Sequence, residues 1–178
     1  DWGSLGYFGA VAEARATMSG VSLVRRVTGG GLVDHRHDRT YTLVLPRGCG
    51  LAGRKGDESY RVIHSALAEV LRKAGAEVSL VQEDSLVESP ACFERPVAWD
   101  LIDGRGGKVA GAGQRRSRKG LLHQGSVMLG EGVDGDALFG SLAGRLAKEV
   151  KNIRREPSGE DVAALVDQFS SPSWTERR

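Results

Sequence analysis

The sequence has few cysteines, few aromatic residues and almost no net charge. Its 178 residues include two cysteines, five prolines and 6% aromatic residues, and 25 lysines and arginines are balanced by 23 aspartates and glutamates. Two cysteines are too few for a disulfide framework and favour a reducing compartment, the cytoplasm. A formal charge of +2 produces no overall basic field, so nucleic acid is not predicted as a partner.

Long apolar runs and metal-ligand patterns are missing too. No run approaches the roughly 20 apolar residues of a membrane span, and no succession of basic, apolar and small residues marks a secretion signal. The four histidines, His35, His37, His64 and His123, show no zinc-ligand spacing with one another or with cysteine. The sequence therefore predicts a globular protein with no membrane partner and no metal site.

What the chain has in excess is glycine. It contains 25 glycines, about twice the usual share, but without the strict three-residue period of a collagen. Hydrophobic residues make up 40% of the chain, which is enough to bury one core at this length, so we expect a single domain over residues 1–178. The glycine clusters are therefore candidates for a functional site.

Hydrophobic periodicity predicts a mixture of strands and helices. The predicted strands are 21–27, 41–45, 77–81 and a meander of 99–102, 108–115 and 121–129, and the predicted helices are 58–73, 138–153 and 159–169. Because the strands outnumber the helices and cluster in hairpins, the pattern favours an α+β fold, a mixed and mostly antiparallel sheet with flanking helices, over a doubly wound sheet.

The first glycine cluster follows a predicted strand, in residues 25–35 (RRVTGGGLVDH). Three consecutive glycines expose backbone N–H groups and carry no Cβ, so a ligand can lie directly on the main chain. The twin arginines Arg25 and Arg26 have the fork geometry that pairs with phosphate or carboxylate. The alternative is a flexible turn beside a solvated arginine pair, because neither a Walker loop nor a GxGxxG pattern is present.

The second cluster, residues 104–113 (GRGGKVAGAG), surrounds Lys108 with small residues on a predicted strand. Glycine within a strand costs stability and often marks the close approach of a ligand, which applies to Gly111 and Gly113. A partly buried lysine with room around its amine would respond to a bound anion. The alternative is a lysine on the solvent side of the hairpin.

Cys92 lies just before the predicted meander, in the segment SPACF. A thiol reacts as the thiolate, which a neighbouring lysine or arginine favours. The alternative is a packed small side chain, the usual fate of a free cysteine. Cys49 shows no partner signal, and no role is predicted for it.

These segments resemble the signatures of the lipoate-protein ligase and octanoyltransferase family, part of the biotin/lipoate A/B protein ligase superfamily. Residues 25–35 resemble its RRxTGGGxVxH signature. Residues 108–116 (KVAGAGQRR), followed by 122–127 (LHQGSV), resemble its lysine signature and the His-Gly-[ST] turn after it, and residues 4–8 (SLGYF) resemble the strand that precedes the first signature. The resemblance spans nearly the whole chain, in the family's order.

The resemblance implies a biotin/lipoate protein ligase-like catalytic domain in which the glycine loop forms the floor of a tunnel that holds the acyl group. It also implies that the family's N-terminal strand and helix are missing. It implies that Lys108 contacts the acyl carbonyl, where an ammonium would stabilise the developing oxyanion. The catalytic residues predicted on this basis are Cys92 and Lys108. The predicted substrate-binding residues are Arg25, Arg26, Thr28, Gly29, Gly30, Gly31, His35, Gly111, Ala112, Gln114, His123 and Gly125.

The cysteine decides between branches of the family. The family's ligases activate free lipoate with ATP and Mg and generally lack a cysteine before the lysine strand, whereas Cys92 resembles the thioester-forming cysteine of the octanoyltransferase branch. The resemblance therefore implies octanoyl transfer without a cofactor, from acyl carrier protein through Cys92 to the acceptor lysine of lipoyl domains or of the glycine cleavage H protein. Two alternatives stay open: an ATP-dependent lipoate-protein ligase, and a non-catalytic lipoyl-binding remnant.

Overall fold

The computed structural model describes residues 1–55, 57–82 and 96–177, in which runs of consecutive strands are separated by helices. The strands are β1 (Trp2–Leu5), β2 (Ser22–Arg25), β3 (Val33–Asp34), β4 (Arg39–Pro46), β5 (Val78–Leu80), β6 (Leu101–Asp103), β7 (Lys108–Ser117) and β8 (Gly120–Val127). The helices are α1 (Val11–Thr17), α2 (Glu58–Lys73), α3 (Gly135–Leu146), α4 (Gly159–Ser170) and α5 (Pro172–Thr175). None of the helices within these described ranges has the length and apolar character needed to cross a membrane.

Five strands form an antiparallel sheet in the order β4-β8-β7-β6-β5. The neighbours β6, β7 and β8 confirm the predicted meander, and β4 pairs with β8 along its whole length. Helices α2 and α3 cover one face of this sheet. The buried side chains between these helices and the sheet include Leu67, Leu71, Leu101, Val127, Leu138 and Leu142. Each such leucine contributes about 1.5–3 kcal/mol when it leaves water, so this layer is the main core of the protein.

A second sheet has three strands in the order β2-β1-β3, with β1 parallel to β2 and antiparallel to β3. Side chains alternate between the faces of a strand. Leu5 therefore lies on the face covered by α1, where it packs with Ala14 and Leu32, and Ser4 lies on the opposite face. The expected α+β class and mostly antiparallel pairing are confirmed, but the strands divide between two sheets.

Helix α2 confirms the predicted range of 58–73, because its apolar residues face the main core as their spacing indicates. The chain leaves this helix through Gly75, whose φ of 90° is accessible to glycine at little steric cost. At the start of α4, Ser158 accepts a hydrogen bond from the backbone N–H of Asp161 at 3.1 Å, as the capping spacing predicts.

Helix α3 corrects the prediction for residues 138–153. It begins at Gly135, where the Asp134 carboxylate caps the N–H groups of Asp136 and Ala137, and it ends at Leu146. The apolar residues Val150 and Ile153 are 51% and 76% exposed. A further turn of helix would bury little apolar surface there, and short helices without tertiary packing are marginal in water.

The start of β6 also differs from the prediction of 99–102. Trp99 has a φ of 71°, an uncommon conformation for a bulky residue, and the Asp100 carboxylate accepts a hydrogen bond from the backbone N–H of Val97 at 2.8 Å. This turn places Asp100 just before the strand, which begins at Leu101.

Candidate active site

A cavity of about 290 Å³ lies between the two sheets, at the lower end of the range of ligand pockets. Residues of β1 and β2, together with His35 just after β3, form one wall, and residues of β4, β7 and β8 form the other. The side chain of Phe169 from α4 completes the lining. The predicted site residues that line this cavity are Arg25, Arg26, His35, Lys108, Gly111, Ala112 and Gly125.

Lys108 forms a buried ion pair with Asp100 in the cavity wall. The distance from Nζ to Oδ2 is 2.7 Å, and the two side chains are 2% and 0% exposed. The alternative of a solvated hairpin lysine is therefore wrong. A Cβ at Gly111 would lie 2.7 Å from the lysine Nζ, so this glycine makes room for the lysine side chain itself.

Sequence reasoning missed Asp100, which links Lys108 to α2. Its Oδ1 accepts a hydrogen bond from the Tyr60 hydroxyl at 2.5 Å, and that hydroxyl in turn accepts one from the backbone N–H of Ala112 at 2.7 Å. Burial, followed by the Asp100 charge, raises the pKa of Tyr60 well above its usual value, so the phenol stays protonated. The signal in the sequence was an aspartate directly before a strand that lies beside the lysine strand.

Gln114 and His123 correct two predictions, because they contact each other and α2 rather than the cavity. The amide Nε2 of Gln114 donates to His123 Nδ1 at 3.0 Å, and its Oε1 accepts from the Ser59 hydroxyl on α2. The other imidazole nitrogen of His123 lies 3.1 Å from the Tyr41 hydroxyl. These contacts give both side chains a structural role behind the sheet.

Two buried histidines predict a loss of stability in acid. Burial lowers the pKa values of His64 and His123 to about 3, whereas an unfolded histidine titrates near 6.5. Below pH 6.5 the unfolded chain therefore binds protons that the folded chain excludes. We expect the free energy of unfolding to fall by about 1.4 kcal/mol per pH unit for each histidine as the pH drops from 6.5 towards 3.

Urea unfolding at a series of pH values measures this effect. The variant His64→Phe should show a shallower decline of stability below pH 6.5 than the wild type. His37→Gln is the matched control, because His37 is exposed, and its slope should equal that of the wild type. An unchanged slope in His64→Phe would show that His64 is protonated in the folded state.

Arg25 corrects the expectation that both arginines are available to an anion. Its NH1 donates to the carbonyl oxygens of Gly6, Tyr7 and Gly9 at 3.2, 2.9 and 2.8 Å. Its Nε and NH2 both donate to the carbonyl of Thr175, at 3.1 and 2.9 Å. The guanidinium therefore joins the segment after β1 to the C-terminal helix α5.

The glycine loop is held by Arg26, and it lies outside the cavity lining. NH2 of Arg26 donates to the carbonyl oxygens of Gly29 and Gly31 at 3.1 and 2.9 Å, and Gly30 has a φ of 98°. The close approach that requires glycine is on β7, since a Cβ at Gly113 would lie 2.4 Å from the carbonyl oxygen of Gly29. The expectation that the loop glycines themselves floor the cavity is therefore wrong.

Thr28 fixes the same junction between the two sheets. It is fully buried, and its hydroxyl donates to the side-chain oxygen of Gln124 on β8 at 3.0 Å. Thr28 thus sets the position of the loop against β8 rather than lining the cavity.

A chain of hydrogen bonds runs from β1 along the cavity wall. Ser4 Oγ lies 2.6 Å from His35 Nε2, and His35 Nδ1 lies 2.7 Å from Asp38 Oδ2. The hydroxyl of Ser126 donates to the same Asp38 oxygen, and the ring of Trp2 stacks on the imidazole at 4.0 Å between centroids. The predicted site residue His35 is thus held in one orientation.

Cys92 lies outside the described residues, so its predicted role as nucleophile stays a prediction. In the part of the chain that the structure describes, no group of three or more histidine, cysteine, aspartate and glutamate side chains is placed to hold a metal ion.

Residues 5–175 match the family model described as the Lipoyl protein ligase A/B catalytic domain. Octanoyltransferase LipM of Kyrpidia tusciae is 33% identical over 188 residues, covering 98% of this chain and 66% of that relative. Octanoyltransferase LipM of Brevibacillus brevis is 31% identical over 180 residues, covering 94% of this chain and 63% of the relative. For the enzyme of the same name from Staphylococcus aureus the identity is 30% and the coverage is 76% and 52%. The chain therefore spans about half to two thirds of the length of these relatives.

Two solved structures have similar folds. A putative lipoate protein ligase from T. acidophilum superposes with a TM-score of 0.71 at 18% identity, covering 98% of this chain and 81% of the other. A lipoate-protein ligase A bound with ATP gives a TM-score of 0.71 at 17% identity, with the same coverage. At these identities the similarity establishes the fold.

Proposed function

Because the chain belongs to the Lipoyl protein ligase A/B catalytic domain family, we propose that it acts in protein lipoylation as an octanoyltransferase. The octanoyl group would pass from the thioester of acyl carrier protein to the acceptor lysine of a lipoyl domain or of the glycine cleavage H protein. The observation that carries this proposal is the cavity between the sheets, with the buried cation of Lys108 in its wall. The relatives named octanoyltransferase support the same branch.

Lys108 would bind the carbonyl of the acyl group. An ammonium beside a carbonyl oxygen stabilises the negative charge that develops there during acyl transfer, and a dry site increases this effect. Asp100 holds the ammonium at 2.7 Å, so the cation is in place before the substrate arrives. Gly111 makes room for the lysine side chain itself, and Gly125 makes room for the ring of Tyr41, whose Cζ would lie 2.3 Å from an added Cβ.

Cys92 would carry the acyl group between donor and acceptor. Its thiolate attacks the donor thioester, a new carbon–sulfur bond forms, and the carrier's thiol leaves. Attack by the acceptor lysine then forms the amide and releases Cys92. Exchange between thioesters needs no cofactor. The low cysteine content of the sequence is consistent with a protein that acts in the cytoplasm. ATP and Mg belong to the alternative, a lipoate-protein ligase.

Mass spectrometry of a three-component reaction tests this function. The protein is mixed with apo lipoyl domain and either octanoyl acyl carrier protein or octanoate with ATP and Mg. We expect the octanoyl mass on the enzyme and then on the lipoyl domain with the carrier protein alone. Replacing Cys92 by alanine should abolish both masses, because a thioester needs a thiol and Cys49, the other cysteine of the sequence, does not line the cavity.

Cys49→Ala is the matched control, since Cys49 is exposed and should leave both masses unchanged. Product that forms only from octanoate with ATP would select the ligase. Binding of the lipoyl domain without turnover in either mixture would select the non-catalytic alternative. Full activity of the Cys92→Ala variant would overturn the cysteine mechanism.

A further inference from the structure

The second half of this transfer requires a base. The acceptor lysine of a lipoyl domain is an ammonium at neutral pH, and it can attack the acyl group only after it has lost a proton. Lys108 is itself a cation paired with Asp100. His64 and His123 lie behind the sheet, and burial keeps both neutral through pKa values of about 3.

His35 is the imidazole that lines the cavity within the described part of the chain. Its side chain is 5% exposed and that of Asp38 is 1% exposed, so the pair is almost dry. The carboxylate accepts the Nδ1–H bond, which fixes the tautomer and leaves Nε2 as an acceptor for the Ser4 hydroxyl at 2.6 Å. A base oriented by a carboxylate and in contact with a hydroxyl is the arrangement that moves protons in nucleophilic enzymes.

We propose that His35, oriented by Asp38, accepts through the Ser4 hydroxyl the proton that the acceptor lysine must lose. This role rests on the proposed octanoyl transfer. The Ser4 oxygen accepts a hydrogen bond from Arg26 NH1 at 2.8 Å and donates its own proton to His35. A hydroxyl oxygen has two lone pairs, so the second one is left for the incoming ammonium.

The relay carries one proton from the acceptor ammonium to His35 before the amide forms. One proton of the acceptor ammonium passes to Ser4 Oγ while the Ser4 proton passes to His35 Nε2. The neutral amine then forms the carbon–nitrogen bond with the acyl carbon, and the carbon–sulfur bond to Cys92 breaks. The second proton of the amine goes to the departing sulfur, and the imidazolium returns its proton to water. Asp38 keeps its hydrogen bond to His35 Nδ1 throughout and acts as a positioning residue.

Measuring the two half-reactions separately tests the relay. Wild type and His35→Gln are each loaded from octanoyl acyl carrier protein, the octanoyl-enzyme is quantified by intact mass, and its decay is followed after addition of apo lipoyl domain. We expect His35→Gln to form octanoyl-enzyme within about threefold of the wild-type rate but to transfer the group about 10²- to 10⁴-fold more slowly, the usual contribution of general base catalysis. Asp38→Asn should shift the same half-reaction in the same direction.

A second acceptor separates proton transfer from a structural role. Hydroxylamine is unprotonated at neutral pH and needs no base to attack a thioester. It should therefore remove the octanoyl group from the acylated His35→Gln variant at close to the wild-type rate. The control His37→Gln changes an exposed histidine two residues away and should leave both half-reactions unchanged. If His35→Gln does not fold, Ser4→Ala provides the same comparison, because it removes the relay hydroxyl and keeps the His35–Asp38 pair.

The outcomes separate this inference from the function on which it rests. If the wild type forms no octanoyl-enzyme, both the octanoyltransferase proposal and the relay are contradicted. Normal loading with an unchanged rate of transfer to lysine in His35→Gln overturns the relay alone. If His35→Gln slows transfer to lysine and to hydroxylamine equally, His35 has a structural role and the relay is overturned. If the octanoyl group maps to Ser4 rather than Cys92, the serine is a nucleophile and the relay is overturned as well.

Discussion

Replacing Lys108 by alanine is expected to lower the free energy of unfolding by about 3–5 kcal/mol, because the change leaves the Asp100 carboxylate buried without its cation. The side chain of Asp100 is 0% exposed and its Oδ2 lies 2.7 Å from the ammonium, so the lysine is the cation that compensates its buried charge. The same variant should lose at least 10²-fold in octanoyl transfer, the usual effect of removing one oxyanion-stabilising group. Urea unfolding and the rate of lipoyl-domain acylation measure the two effects.

A double variant separates the two roles of the lysine. Asp100→Asn combined with Lys108→Met removes both charges. The amide oxygen can still accept from the backbone N–H of Val97, and the amide N–H can donate to the Tyr60 oxygen in place of the present bond. We expect it to recover most of the lost stability, since a neutral pair of similar volume is often as stable as a buried ion pair. Its transfer rate should stay as low as that of Lys108→Ala. Recovered activity in the double variant would show that the ammonium only holds Asp100.

Replacing Arg25 by alanine is expected to cost a similar 3–5 kcal/mol, within the range for breaking a buried charged network. Its guanidinium is the donor to the carbonyls of Gly6, Tyr7, Gly9 and Thr175. Hydrogen bonds to a charged group contribute about 1.5–3 kcal/mol each, and a buried acceptor that loses its donor is costly. Arg25→Lys should recover less than half of the loss, because one ammonium cannot reach both groups of carbonyls.

Arg36→Ala is the matched control for Arg25. Arg36 pairs with Asp34 at 2.5 Å, but the two side chains are 43% and 37% exposed. Exposed ion pairs contribute about 0–1 kcal/mol, so the free energy of unfolding of the control should lie within about 1 kcal/mol of the wild-type value. A loss below 1 kcal/mol in Arg25→Ala as well would mean that water satisfies the carbonyls once the guanidinium is gone.

The main sheet and α2 were predictable because they depend on local patterns. The period of 3.6 in residues 58–73 and the alternation in the meander reflect which side chains face one core. The three-stranded sheet was predictable only in part: β2 lies within the predicted strand 21–27, but β1 and β3 are only four and two residues long. Their pairing depends on contacts between distant segments rather than on a repeating pattern.

The candidate site was predictable as a set of segments but not as a set of contacts. Lys108, His35 and Gly111 line one cavity, and the roles that the resemblance implies for them stay predictions. Asp100 and Asp38 were missed because each acts through a partner that the fold supplies, Lys108 in one case and His35 in the other. A signature records residue types in order, and it does not say which face of a strand each one occupies.

In strand β7, successive residues of the signature face opposite sides of the sheet. Gly111 and Gly113 turn towards Lys108 and the glycine loop, while Gln114 and Arg116 turn towards Ser59 of α2. Neighbouring residues of β7 are therefore constrained from opposite sides, one by Lys108 and the glycine loop and the other by the helix behind the sheet. A larger residue at the first set should therefore require a change at Lys108 or in the glycine loop, and an exchange at the second set should require a compensating change in α2.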